Sequence, residues 1–130
     1  MRRAVFVSLL LVALTQMPAR AAVDTVFAGP GSYAATYTTP VVVVRGGSSV
    51  QFVNADAQAH NVQALDATRP DDTAPWCSGF PRGGCPLFWS DEIGIAETTP
   101  VLGLEDAASG SQLTFVCAPH PWMTGTLIVQ

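Results

Sequence analysis

The chain contains no lysine, and only two histidines, three cysteines and three methionines in 130 residues. Its six basic residues are all arginine, and charged residues make up 12% of the total. Recognition of a phosphate backbone needs clustered positive charge, so nucleic acid is excluded as a partner. Long hydrophobic runs are missing as well. The main apolar stretch, residues 4–14, carries one serine and falls short of the roughly 20 residues that cross a bilayer. There is no internal repeat, heptad pattern or extended helical period, which excludes solenoids and coiled coils.

The short apolar stretch has a recognisable setting. Met1-Arg2-Arg3 places positive charge before it, and Ala19-Arg20-Ala21 follows with the small-x-small pattern of a cleavage site. That is the layout of a secretory signal peptide. Residues 1–21 are expected to be removed, with the cut after Ala21 or Ala22, leaving residues 22–130 as one domain without a membrane span. No cysteine follows the cut, which argues against lipid attachment. Arg2, Arg3 and Arg20 leave with the signal, so three arginines face ten carboxylates and the net charge becomes −7. Such a surface permits docking to a basic partner and equally keeps a small protein soluble. The expected location is periplasmic or secreted. The remaining length suffices for one sandwich-sized core and not for two domains.

Short runs rich in Val, Thr, Phe and Ile recur, broken by Gly, Pro, Asn and Asp, which is an all-β signature. Strands are expected over residues 35–44, 49–53, 60–65, 88–95, 98–104, 112–117 and 124–129. Pro40 points to an edge or a bulge in the first. Turns are expected at 45–48 and 109–111. Seven or eight short strands in a chain of this size predict a two-sheet Greek-key β-sandwich. Residues 66–87, full of Pro, Gly and Asp, read as a long loop with at most a short helical turn. A loop of that length is usually functional or pinned. Cys77 and Cys85 lie close enough within it to form a disulfide, stabilising by roughly 2–3 kcal/mol on the chain-entropy view.

Cys117 is then left over. The mature chain has two histidines, His60 and His120, and one methionine, Met123, because Met1 and Met17 fall in the signal. The unpaired cysteine, the single methionine and one histidine therefore share the segment Cys117-Ala118-Pro119-His120-Pro121-Trp122-Met123. A thiolate, an imidazole and a thioether on one short loop suit copper: the sulfur ligands favour Cu(I), and imidazole accepts either oxidation state. His60 is the remaining candidate for a second imidazole. Two histidines and a cysteine with a long axial methionine form the blue-copper electron-transfer arrangement. Structural zinc prefers four Cys or His ligands and does not ordinarily take methionine.

On these residues the sequence resembles the cupredoxins, the plastocyanin, amicyanin and pseudoazurin family. The matching motifs are His60-Asn61 on an early strand and Cys-x-x-His-x-x-Met, here Cys117 to Met123, between the last two strands. Gly125 stands near the family's glycine after the loop, and the short proline-containing loop is most similar to that of amicyanin. The likeness covers roughly residues 35–130. It implies a β-sandwich with one copper ion near one end, and it implies that Asn61 ties its strand to the Cys117 loop. The insert with Trp76, Phe80, Phe88 and Trp89 departs from the family's minimal pattern. It either covers the copper end, builds a partner surface or is a stapled surface loop.

The expected function is one-electron transfer between a donor and an acceptor protein by a monomeric, non-enzymatic carrier cycling between Cu(I) and Cu(II). Pro119 lacks an N–H, which removes one possible donor to the Cys117 sulfur. Pro121 and Trp122 flank His120, where they form an electron port and docking rim, or Trp122 caps the core. The alternative function is copper binding and delivery without electron transfer. An oxidase or nitrite reductase needs further copper ligands, and both histidines are already assigned.

Overall fold

The computed structural model describes residues 23–45 and 48–130. The expected signal segment, residues 1–21, lies outside the described residues, as do Gly46 and Gly47 of the expected 45–48 turn. Among the described residues there are seven strands: β1 (Val23–Ala28), β2 (Val41–Val44), β3 (Ser49–Asn54), β4 (Gln63–Ala64), β5 (Glu97–Val101), β6 (Gln112–Val116) and β7 (Thr124–Val129). They form two mixed sheets, ordered β1-β3-β5 and β2-β7-β6-β4. β1 runs parallel to β3 and β2 parallel to β7, while the other pairs are antiparallel. The fold is the expected all-β sandwich.

Period-two patterning sets which side chains enter the core. In β3, Val50, Phe52 and Asn54 point inward, and in β7 Gly125, Leu127 and Val129 do so. Phe52, Phe115 and Leu127 are fully buried, as is Phe88 from the connection after the insert. Each such side chain contributes about 1.5–3 kcal/mol of transfer free energy. Gly125 pairs directly with Phe115 across β6 and β7. A Cβ there would meet the Phe115 ring at 2.2 Å, so only glycine lets that ring lie flat across the strand. Phe115 in turn packs edge-on against Tyr37, at a centroid distance of 5.0 Å.

Several segments differ from the sequence expectation. β1 was not expected and forms by pairing in parallel with β3. The strand expected over 35–44 is confined to Val41–Val44, because Thr38 N–H and Thr39 N–H turn back to the Phe27 carbonyl. Pro40 sits just before it, and its sheet position is an edge. Residues 60–65 and 88–95 contribute mostly isolated bridges, His60 with Ile93 and Trp89 with Gln63 and Leu102.

The insert contains a 3-10 turn, Pro75–Gly79, and the Cys77–Cys85 disulfide. It leaves the sheet at β4 and is seated far from the His60 end. β5 runs from Glu97, opposite Asn54, to Val101, opposite Val50. The insert packs just past the Val101 end: Trp76 lies against Gly103, and Arg69 Nη1 is 2.7 Å from Asp106 Oδ2. The Arg69 guanidinium also stacks over Trp76, 5.4 Å from the ring centroid. The stapled lobe therefore does not cover the His60 end of the sandwich.

Candidate metal centre

Two backbone devices meet at one end of the sandwich. His60 sits in a two-way bridge with Ile93, His60 N–H to Ile93 O at 3.1 Å and Ile93 N–H to His60 O at 2.9 Å. Cys117 follows the last residue of β6, and the chain reaches β7 through two successive turns. His120 N–H bonds to Cys117 O at 3.1 Å, Met123 N–H to His120 O at 2.8 Å, and Cys117 N–H to Met123 O at 3.1 Å. Pro121 occupies the second position of the latter turn, where its fixed φ is favourable. Three hydrogen bonds and two prolines thus hold a seven-residue loop.

The loop and the bridge bring three ligand-type atoms together. His60 Nδ1 and His120 Nδ1 are each 3.5 Å from Cys117 Sγ and 3.0 Å from one another. A circle through the three atoms has a radius of about 1.9 Å, close to a metal–nitrogen bond length and somewhat shorter than a metal–sulfur bond. One small ion thus fits among two imidazoles and a thiol. His60, Cys117 and Met123 are fully buried, whereas His120 is half-buried. A second cluster, Asp72 with Cys77 and Cys85, offers no thiolate because its cysteines are joined.

The polar surroundings are specific. Asn61 Oδ1 accepts the Ala118 N–H at 2.7 Å, and the Tyr37 hydroxyl donates to the Asn61 carbonyl at 2.5 Å. Behind the site, His60 Nε2 is 2.9 Å from Asp56 Oδ2. Burial pushes the Cys117 thiol up against the lowering effect of neighbouring N–H groups. Burial, followed by the adjacent His60, holds His120 below the ordinary imidazole range, against the opposing charges of Glu92 and Asp56. A neutral His120 keeps a lone pair for a metal.

At the surface, Trp122 is 54% exposed, so it does not cap the core. Its Nε1–H donates to the Tyr33 carbonyl at 2.7 Å. Tyr33, His120 and Trp122 pack edge-on in a triangle, with centroid distances of 5.0 Å (Tyr33–His120), 5.7 Å (Tyr33–Trp122) and 5.4 Å (His120–Trp122). Pro119 and Pro121 are exposed beside them. Sequence reasoning missed Tyr33 and Asp56. Tyr33 meets Trp122 across 89 residues, and Asp56, although only four residues before His60, stands in a turn-like Asn-Ala-Asp run that gives no sign of where its carboxylate points.

Fold and site together define a cupredoxin. The profile of the copper binding proteins of the plastocyanin/azurin family matches residues 25–130, and the chain belongs to that family. Comparison with curated protein sequences returns no match. Among solved structures, the chain is similar to a purple cupredoxin from Nitrosopumilus maritimus, with a TM-score of 0.56, 20% identity, and coverage of 84% of this chain and 99% of that one. It is also similar to a reduced Cu(I) form of an amicyanin variant, with a TM-score of 0.54, 19% identity and coverage of 88% and 87%. An oxidised amicyanin variant gives a TM-score of 0.54 at 18% identity, with the same coverage. Copper is the family's metal. Its members are in general exported electron carriers that work with redox partners, not enzymes. Among the described residues no helix is long and apolar enough to cross a membrane.

Proposed function

We propose that this protein is an exported, monomeric one-electron carrier whose single copper ion is held by His60, Cys117, His120 and Met123. The observation that carries this reading is the convergence of His60 Nδ1, His120 Nδ1 and Cys117 Sγ within 3.5 Å of one another. Met123 supplies the fourth, thioether ligand from the same loop. When bound, copper supplies a one-electron couple between Cu(I) and Cu(II).

The chain's own residues do the rest. The two imidazoles bind as neutral donors and Cys117 as thiolate. A stiff, hydrogen-bonded loop keeps the ligand positions similar in both oxidation states. Asn61 and Tyr37 brace the Cys117 loop against the His60 segment. Half-buried His120, rimmed by Tyr33, Trp122, Pro119 and Pro121, is the point of electron entry and exit and the docking surface for donor and acceptor.

The test is addition of Cu(II) to the mature protein, followed by visible and electron paramagnetic resonance spectroscopy. The expected result is intense thiolate-to-copper absorption that bleaches on reduction and is missing in Cys117→Ala. A pale, ordinary Cu(II) signal overturns the reading. Loss of the ion during redox cycling favours copper delivery instead. Export is tested separately, by the N-terminal sequence of the mature protein, expected to start at Ala22 or Val23.

A further inference from the structure

Asp56 is a buried carboxylate, 5% exposed, that accepts hydrogen bonds from four directions. Its Oδ2 is 2.9 Å from His60 Nε2 and accepts the Tyr33 N–H at 2.7 Å. Its Oδ1 accepts the N–H groups of Gly31, at 3.1 Å, and Ala57, at 2.9 Å. The Asp56 N–H in turn donates to Asn54 Oδ1 at 2.9 Å, while Asn54 Nδ2 donates to the carbonyls of Gln58 and Ile93. The carboxylate is therefore fixed from the β3 side and from the His60–Ile93 bridge.

This placement acts on both histidines. An ionised carboxylate only accepts, so the proton in its bond to His60 lies on Nε2. That leaves the Nδ1 lone pair directed toward Cys117 Sγ and His120 Nδ1. The same carboxylate holds the backbone of Gly31 and Tyr33. Tyr33 then packs edge-on against the His120 ring and accepts the Trp122 indole N–H through its carbonyl. One side chain thus reaches the buried imidazole from behind and the exposed imidazole through a loop.

We infer that Asp56 is a positioning residue for the copper site, fixing the His60 tautomer, setting Tyr33 against His120, and lowering the reduction potential through its negative charge. The inference rests on the copper-carrier reading above. A carboxylate bonded to a ligating imidazole raises the basicity of that ligand. A nearby negative charge favours the more positive oxidation state. Both effects stabilise Cu(II) over Cu(I).

The test uses the full mature chain and Asp56→Asn, with Asp66→Asn as a control for an exposed carboxylate after β4. In the copper-loaded protein, Asp56→Asn is expected to raise the reduction potential well beyond any shift from Asp66→Asn. In the metal-free protein, long-range nitrogen–proton NMR is expected to find the wild-type His60 proton on Nε2. Amide exchange at Gly31 and Tyr33 is expected to accelerate in Asp56→Asn. An equal potential in the two variants overturns the inference, as does a wild-type His60 proton on Nδ1. The tautomer measurement needs no variant, so it decides the matter even where Asp56→Asn fails to fold. Failure of the carrier reading is distinct: it appears as a wild-type protein without intense copper absorption, while the metal-free measurements still test Asp56.

Discussion

Asn61 Oδ1 accepts the Ala118 N–H at 2.7 Å, joining two segments 57 residues apart in sequence, and each segment carries a proposed copper ligand next to the bonded residue. The bond spans His60 and Cys117 without involving either side chain. Asn61→Ala removes the acceptor and leaves the Ala118 N–H without its partner. The expected loss is about 1–3 kcal/mol in stability, the penalty for a partly buried unpaired donor. Urea unfolding of the metal-free protein measures it. In the copper-loaded protein the thiolate absorption is expected to shift, because Cys117 precedes the released residue.

The Gly125–Phe115 contact makes a second prediction. Gly125→Ala places a methyl group within 2.2 Å of the Phe115 ring, so the ring must move. Overpacking of this kind destabilises by roughly 1–3 kcal/mol. Phe115 packs on Tyr37, whose hydroxyl bonds to the Asn61 carbonyl, so displacement is transmitted toward the site. A lowered denaturation midpoint together with broadened copper absorption is the expected outcome. An unchanged midpoint rejects the packing argument.

The disulfide behaves differently. It closes a short loop with a sequence separation of 8, in a lobe seated against Gly103 and Asp106. Replacing both Cys77 and Cys85 by serine is expected to lower stability by about 2–3 kcal/mol through a less constrained unfolded chain. The copper absorption and the reduction potential are expected to stay at wild-type values. A changed potential shows that the lobe reaches the metal end.

The parts of this architecture legible in the sequence are the local ones. The Cys117–Met123 loop carries its ligands within seven residues, and two prolines announce its turns. The 66–87 loop and its staple were readable from composition. Its seat was not, because Arg69–Asp106 and Trp76–Gly103 join elements distant in sequence. β1 was missed because only Val26 and Ala28 in it are buried, too weak an alternation to notice. Residues 35–40 were overextended because threonine-rich alternation looks the same whether its N–H groups go to a sheet or, as here, to Phe27 O. Asp56 stood in an Asn-Ala-Asp cluster that reads as a turn, and only the folded chain turns its carboxylate toward His60.

Acid stability follows from Asp56. Burial alone pushes its carboxyl up, but the bonds from His60, Tyr33, Gly31 and Ala57 outweigh that and lower it from 3.8 to about 2. The folded state thus holds the proton less tightly than the unfolded chain. Its contribution to stability is complete above the unfolded value near 4 and is lost as pH falls toward 2. Urea unfolding of the metal-free protein at successive pH values is expected to show a decline across that window. Asp56→Asn is expected to be less stable at neutral pH and to show a shallower decline.

Pro119 offers a test of how the loop tunes the metal. It stands two residues after Cys117 and, as proline, brings no N–H near the sulfur. Hydrogen bonds to a ligating thiolate withdraw electron density and favour Cu(I), which raises the potential. The turn around it is already held by His120 N–H to Cys117 O and by the Asn61 bond to Ala118, so replacing the proline need not open the loop. Pro119→Ala is therefore expected to keep the intense absorption and to raise the reduction potential as a new N–H···S bond forms. That is the same direction as Asp56→Asn, but by a different route. NMR of the reduced protein separates them, since only Pro119→Ala adds an amide proton, at position 119, that is expected to exchange slowly. Voltammetry showing no change or a fall in potential for Pro119→Ala rejects the missing-donor argument.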